Sequence, residues 1–123
     1  MFKVLVVDDE SGFRQIMQVI LQRAGYCVLQ AADAREALAV LSQELPVCVI
    51  LDDMMPGMSG SELCRLMKSD ARLALVPVLM HTANLKWDDP NYVKEIGADG
   101  VLIKPCSPRE IVDAVSRFVG ARA

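Results

Sequence analysis

The sequence predicts an α/β fold in which helices cover both faces of a doubly wound, five-stranded parallel sheet. Three observations predict it. Short apolar runs alternate with segments of helical periodicity along the whole chain. The predicted strands are apolar throughout, which is typical of parallel strands buried on both faces. The chain has 123 residues, of which 53% are hydrophobic, so it fits one compact domain. We therefore expect residues 1–123 to form a single domain.

The first two units each consist of a short strand and an amphipathic helix. Lys3–Val7 is a β-branched run that stops at two aspartates, and a segment with apolar residues at helical spacing follows. These apolar residues are Phe13, Ile16, Met17, Ile20 and Leu21. Gly25 is a predicted C-cap, after which Tyr26–Gln30 is the second strand. Asp33 and Glu36 have the spacing of a capping box, which predicts the start of the second helix.

The third unit contains the most apolar predicted strand, Val47–Leu51, as expected at the centre of a parallel sheet. Ser59 and Glu62 form a second predicted capping box, which begins the third helix. Val78–His81 is the predicted fourth strand, and the fourth helix ends at Gly97.

The last unit begins with a predicted fifth strand, Gly100–Ile103. Ser107, Pro108 and Glu110 then supply an N-cap, a proline at N1 and a glutamate at N3, which predicts the start of the fifth helix. Strands that alternate with helices in this way give a doubly wound sheet, because parallel strands need right-handed helical crossovers.

Composition argues against several classes of function. The net charge is −3 and the 13 basic residues are scattered, so we expect no direct binding of nucleic acid. The four cysteines include no C-x-x-C pair, which argues against a zinc site or a redox motif. No apolar run approaches the roughly 20 residues of a membrane span. We therefore expect a cytoplasmic protein that makes no contact with membranes.

Polar side chains follow four of the five predicted strands. They are Asp8 and Asp9 after the first, Asp52 and Asp53 after the third, Thr82 after the fourth and Lys104 after the fifth. Because parallel strands end at one edge of the sheet, we expect these side chains to converge. Clustered carboxylates need a cation, and their oxygens suit Mg²⁺. A hydroxyl and an ammonium suit the oxygens of a phosphoryl group. The pattern therefore predicts a site for a metal and a phosphate.

Each of these residues taken alone also has a plain structural interpretation. An acidic pair after a strand is more often a helix cap than a metal site, and Asp53 is interpreted on its own as a solvated neighbour. Trp87, the only tryptophan, either contacts a partner or folds over the adjacent helix. We interpret His81 as a strand-end residue beside the site rather than as a ligand or a base.

Four segments together resemble the receiver domain of bacterial two-component response regulators. They are VLVVDDE at 4–10, VILDDMMPGMSG at 49–60, HTA at 81–83 and GADGVLIKP at 97–105. The resemblance spans almost the whole chain. It implies one receiver domain over residues 1–123, with a flavodoxin-like (βα)5 fold and strand order 2-1-3-4-5.

The resemblance also implies a role for each site residue. Asp52 matches the phosphoacceptor, Thr82 the switch hydroxyl and Lys104 the lysine that pairs with the acceptor and then with the phosphoryl group. Asp53 is not expected to accept phosphate. The implied ligands of Mg²⁺ or Mn²⁺ are Asp9, Asp52, the backbone carbonyl of Met54 and, through water, Asp8. The Lys104-Pro105 bond is expected to be cis.

By the same resemblance the chain is a phosphorylation-activated switch that catalyses its own phosphorylation and dephosphorylation and turns over no external substrate. The implied phosphate donor is a sensor histidine kinase or a phosphotransfer protein. Effector binding or dimerisation is expected through the fourth helix, the fifth strand and the fifth helix. Val101 stands where many members of the family have an aromatic residue, so an aromatic rotamer switch is not expected there.

Two other functions occur on sheets of this kind but fit the residues of this chain less well. A phosphatase or phosphotransferase with an aspartyl nucleophile typically needs an acid two residues after the nucleophile, where this chain has Met54. A flavodoxin-like binding module needs a phosphate loop after the first strand, where Asp8, Asp9 and Glu10 would repel an anionic cofactor.

Overall fold

The computed structural model describes the backbone of residues 2–122 and the side chains of residues 2–119, in which five strands alternate with five α-helices. The strands are β1 (Lys3–Val7), β2 (Cys27–Ala31), β3 (Cys48–Leu51), β4 (Val78–Thr82) and β5 (Gly100–Ile103). The helices are α1 (Ser11–Arg23), α2 (Ala34–Gln43), α3 (Gly60–Ser69), α4 (Pro90–Ile96) and α5 (Pro108–Arg122). A short 3₁₀ helix, Leu85–Asp88, lies between β4 and α4.

The five strands form one parallel sheet in the order β2-β1-β3-β4-β5, which confirms the predicted fold class and strand order. Val7 of β1 is in register with Leu51 of β3, and Leu51 with Met80 of β4. The carboxyl ends of these strands therefore lie side by side at one edge, where ligands bind in doubly wound sheets.

Two apolar cores hold the helices against the two faces of the sheet. On one face, Leu5 and Val49 pack in a cluster with Leu41 of α2, Leu63 of α3 and Ile96 of α4. On the other face, strand residues pack in a cluster with α1 and α5. The cluster on this second face includes Val4, Ile50, Met17, Leu21, Ile111 and Val115. Both faces of the sheet are covered, as the largely apolar sequences of the strands predicted.

Local hydrogen bonds confirm the predicted helix starts. The side chain of Asp33 accepts from the Glu36 N–H at 2.8 Å, and Ser59 accepts from the Glu62 N–H at 3.2 Å. The Ser107 hydroxyl accepts from the Glu110 N–H at 3.1 Å, which begins α5. Gly97 ends α4 with φ of 92°, a left-handed conformation that glycine adopts without steric cost.

The strand boundaries lie within one residue of their predicted positions, and two other features differ from the prediction. The strands β2 and β3 begin one residue later than predicted, and β4 extends to Thr82. Phe13 and Ile16 share the apolar spacing of α1 but are exposed, because no helix covers that part of its surface. The 3₁₀ helix was not predicted, since four residues are too few to show a period. Within residues 2–122, no helix has both the length and the apolar character that a membrane span requires.

Candidate functional site

Three carboxylates meet at the ends of β1 and β3. Asp8, Asp9 and Asp52 each offer an oxygen, and these oxygens all lie within 4.8 Å of one another. Asp8 and Asp52 are buried, whereas Asp9 is exposed. Carboxylates this close repel one another unless a cation lies among them, and oxygen donors suit a hard divalent ion. The chemistry of this donor set therefore fits the magnesium or manganese ion expected from the sequence.

Backbone hydrogen bonds that continue the sheet hold two of these aspartates in place. The Asp52 N–H donates to the Val7 carbonyl at 2.9 Å, and the Asp8 N–H donates to the Ala31 carbonyl at 3.1 Å. The Asp8 carboxylate also accepts from the Glu10 N–H at 2.9 Å. The two acidic side chains are thus fixed at the sheet edge by the register of the strands.

Lys104 brings a positive charge to the same cluster from the end of β5. Its Nζ lies 3.3 Å from Asp8 Oδ2 and 3.6 Å from Asp52 Oδ1. Within residues 2–119, no other basic side chain forms an ion pair with the three carboxylates. The ammonium also lies 4.3 Å from the centre of the Phe13 ring. The bond that follows Lys104 is cis, as expected.

The protonation of Asp52 reflects a balance of opposing effects. Burial raises its pKa to about 6, and the nearby Asp8 and Asp9 charges act in the same direction. The Lys104 charge and a backbone hydrogen bond from Met54 lower the pKa and offset part of this effect. At neutral pH Asp52 is therefore ionised but is more basic than an ordinary aspartate, a combination that suits a nucleophile.

Thr82 lies at the end of β4 and is completely buried. Its hydroxyl oxygen accepts from the Asn84 N–H at 3.1 Å, and its carbonyl accepts from the Lys104 N–H at 2.8 Å. Thr82, Asp52 and Lys104 line one cavity of about 560 Å³ together with Met54, a residue that is 71% exposed. The structure thus brings together the residues to which the family resemblance gave a role, which are Asp8, Asp9, Asp52, Met54, Thr82 and Lys104.

His81 lies on the face of the sheet that α1 and α5 cover. It is buried and lines a separate cavity of about 210 Å³ together with Phe13 and Ile111. Burial, followed by the Lys104 charge, lowers the pKa of His81 to about 4, so the ring is neutral at physiological pH. This placement confirms the interpretation of His81 as a strand-end residue beside the site.

Asp53 is not the solvated neighbour that its position suggested, because it is buried and hydrogen-bonded by both carboxylate oxygens. Oδ1 accepts from the N–H and hydroxyl of Ser61 in the first turn of α3, at 2.9 and 2.5 Å. Oδ2 accepts from the indole Nε1–H of Trp87 at 3.0 Å. Trp87 is itself only 1% exposed, so of its two interpretations the structure supports packing inside the fold.

Gly60 is a residue of the site that sequence reasoning missed. Its N–H donates to the Asp53 carbonyl at 2.9 Å, and a Cβ at this position would lie 2.2 Å from the Asp52 carbonyl oxygen. The first residue of α3 therefore packs directly against the backbone of the residues that follow β3. The sequence signal was the glycine itself, directly after the N-cap Ser59, in a place where an ordinary helix former would be expected.

Comparisons with known proteins agree with this geometry. The family described as "Response regulator receiver domain" matches residues 4–116. The phosphate regulon transcriptional regulatory protein PhoB of Pseudomonas aeruginosa is 41% identical over 109 residues, which cover 89% of this chain and 48% of that protein. The chain spans just under half the length of the first curated relatives that it matches.

Solved structures of similar proteins cover the chain almost completely. The chemotaxis response regulator CheY4 of Vibrio cholerae is 36% identical, with a TM-score of 0.87, and the match covers 96% of this chain and 98% of that one. A structure described as the BeF3-activated DrrB receiver domain is 29% identical with a TM-score of 0.84, and the match covers 98% of each chain.

Proposed function

The chain belongs to the response regulator receiver family, and we propose that it is a signalling switch of a two-component system whose phosphoacceptor is Asp52. One observation carries the assignment of the acceptor. The buried Asp52 carboxylate lies at the end of the central strand, within 4.8 Å of oxygens of Asp8 and Asp9 and 3.6 Å from Lys104 Nζ. We propose further that residues 1–123 act as one receiver unit.

The residues that would hold Mg²⁺ or Mn²⁺ are Asp9, Asp52, the backbone carbonyl of Met54 and, through water, Asp8. When bound, such an ion offsets the charge on the acceptor carboxylate and on the phosphoryl oxygens. The close set of three carboxylates supports this assignment.

The chain's own side chains supply the rest of the chemistry. The Asp52 carboxylate attacks the phosphorus of a phosphohistidine in line, so that an O–P bond forms while the P–N bond breaks and the histidine leaves. Lys104, already 3.6 Å from Asp52, pairs with a phosphoryl oxygen. The Thr82 oxygen accepts from Asn84, which leaves its O–H free to donate to the phosphoryl group. Attack by water on the aspartyl phosphate then resets the switch.

The donor is a sensor histidine kinase or a phosphotransfer protein. Phe13 and Ile16 expose apolar surface on α1, and the Phe13 ring adjoins Lys104. Exposed apolar residues beside a site favour contact with another protein.

The output is read through α4, β5 and α5, by an effector or by a second copy of the chain. The receiver turns over no external substrate, works in the cytoplasm and does not itself bind nucleic acid, in keeping with its net charge of −3.

Acetyl-phosphate labelling with Mg²⁺, read by intact mass, tests the acceptor. We expect the wild-type protein to gain the mass of one phosphoryl group, and we expect Asp52→Ala to gain none. Asp53→Asn is the matched control, because it changes the neighbouring carboxylate and should still be labelled. Labelling of Asp52→Ala at the wild-type level would rule out Asp52 as the acceptor.

A further inference from the structure

One hydrogen bond crosses from the residues that follow β3 to the 3₁₀ helix that follows β4. The indole N–H of Trp87 donates to Asp53 Oδ2 at 3.0 Å, between residues 34 apart in sequence. Both residues are buried, with exposed fractions of 1% for Trp87 and 7% for Asp53. A buried hydrogen bond to a charged group is stronger than one between neutral groups, and losing one partner leaves a costly unpaired carboxylate oxygen.

Each end of this bond is linked to a residue that phosphorylation would affect, Asp52 or Thr82. Asp53 directly follows Asp52 in the chain. Two short-range bonds join Trp87 to the loop after Thr82. The backbone N–H of Trp87 donates to the Asn84 carbonyl at 3.2 Å, and the backbone N–H of Asn84 donates to the Thr82 hydroxyl at 3.1 Å. A shift of Thr82 toward a phosphoryl group on Asp52 would therefore pull on the segment that carries Trp87.

Trp87 also reaches the surface formed by α4 and β5. Its ring makes an edge contact with Tyr92 of α4, with ring centres 4.8 Å apart and planes at 82°. Trp87, Val93 and Val101 line a common groove of about 430 Å³. Val101 cannot act as an aromatic switch, so the buried aromatic residue that links the site with this surface is Trp87.

We propose that the Asp53–Trp87 hydrogen bond is a latch that holds the 3₁₀ helix and α4 in the unphosphorylated arrangement and opens when Asp52 is phosphorylated. The proposal rests on the proposed function of Asp52 and deepens it by naming the contact that opposes switching. Because opening the latch leaves Asp53 Oδ2 without its partner, the bond favours the closed state. By linkage, whatever weakens the latch strengthens binding of a phosphoryl group or its mimic at Asp52.

The single tryptophan allows a direct test on the unaltered chain, since ¹⁵N–¹H NMR will show one indole signal. The probe is beryllofluoride, a non-covalent mimic of the phosphoryl group, added with Mg²⁺. We expect the indole signal to move upfield and to exchange faster with water on adding beryllofluoride, and we expect Mg²⁺ alone not to have this effect. If the backbone signals near Thr82 respond while the indole signal stays unchanged, the latch is wrong and the acceptor assignment stands.

Asp52→Ala separates failure of the acceptor from failure of the latch. Loss of every response in this variant supports Asp52 as the residue that binds the mimic. A response equal to that of the wild type would overturn the proposed function and the latch with it.

Two variants then test the latch by its energetic coupling. Trp87→Phe keeps an aromatic ring but removes the N–H donor. Asp53→Asn keeps the shape, and because Ser61 donates twice to Oδ1, its amide oxygen should stay there and turn the NH₂ group toward the indole N–H. At saturating Mg²⁺, each variant should bind beryllofluoride about five-fold more tightly or better. The double variant should gain nothing further, because both changes break one bond.

Ser61→Ala is the matched control, since it removes a hydroxyl bond to the same carboxylate without affecting Trp87. We expect its affinity for beryllofluoride to equal that of the wild type. Unchanged affinities in Trp87→Phe and Asp53→Asn, or fully additive effects in the double variant, would overturn the latch. If Trp87→Phe does not fold, the comparison of Asp53→Asn with Ser61→Ala decides the question.

Discussion

At the scale of single residues, the buried charge of Asp52 lowers the stability of the folded protein. Its pKa is raised from 3.8 to about 6, chiefly by burial. Between these two pH values the folded protein therefore binds more protons at this residue than the unfolded chain does. Stability contributed by Asp52 falls as pH rises through this window, and above about pH 6 the full cost of the buried charge is present.

Asp52→Asn should remove this cost in protein freed of divalent ions by EDTA. At pH 7.5 we expect the variant to be more stable than the wild type by about 1–2 kcal/mol, less than the full pKa shift implies because water reaches the site. The advantage should shrink as the pH is lowered from 6 to 4. Urea unfolding across this pH range measures it, and a variant less stable than the wild type at pH 7.5 would contradict the argument.

At the scale of elements, the contact between α3 and the residues after β3 fixes the position of Asp52, the proposed phosphoacceptor. Gly60→Ala would place a Cβ 2.2 Å from the Asp52 carbonyl oxygen, so either the helix or the acceptor backbone must move. We expect a loss of about 1–3 kcal/mol in the free energy of unfolding, as for other overpacked positions, together with slower labelling by acetyl phosphate.

Gly12→Ala is the control for this prediction, because Gly12 lies in α1 and a Cβ added there would meet no neighbouring part of the fold within 4 Å. Alanine there should stabilise the protein by up to about 1 kcal/mol, since glycine is a poor helix former. Thermal unfolding and labelling of both variants provide the measurement. Equal tolerance of alanine at the two positions would show that α3 does not constrain the acceptor.

The elements also show which features of the fold can be predicted from the sequence. Strands and capping boxes were predicted because their signals are local, as in the three-residue spacing of Ser59 and Glu62. The Asp53–Trp87 bond joins residues 34 apart and leaves no periodic trace, so the burial of Asp53 could not be predicted. Helical spacing placed Phe13 on an apolar stripe but could not tell that no neighbouring helix covers it.

At the scale of the whole molecule, the parallel sheet creates the cluster of carboxylates on which the proposed function rests. The chain order places Asp8 and Asp52 far apart in sequence, and the pairing of β1 with β3 brings their carboxylates together. The repulsion among Asp8, Asp9 and Asp52 therefore exists chiefly in the folded state. A cation that relieves this repulsion binds the folded protein in preference to the unfolded chain and must stabilise it.

We accordingly expect Mg²⁺ to raise the melting temperature. At a concentration one hundred times its dissociation constant, a ligand of the folded state alone contributes about 2.7 kcal/mol. Thermal unfolding in a Mg²⁺ series measures the effect, with NaCl of equal ionic strength as the control for screening. Asp9→Asn should lose most of the Mg²⁺-dependent increase, because it removes one of the three clustered carboxylates. A melting temperature that does not change with Mg²⁺ would mean that the cluster holds no divalent ion.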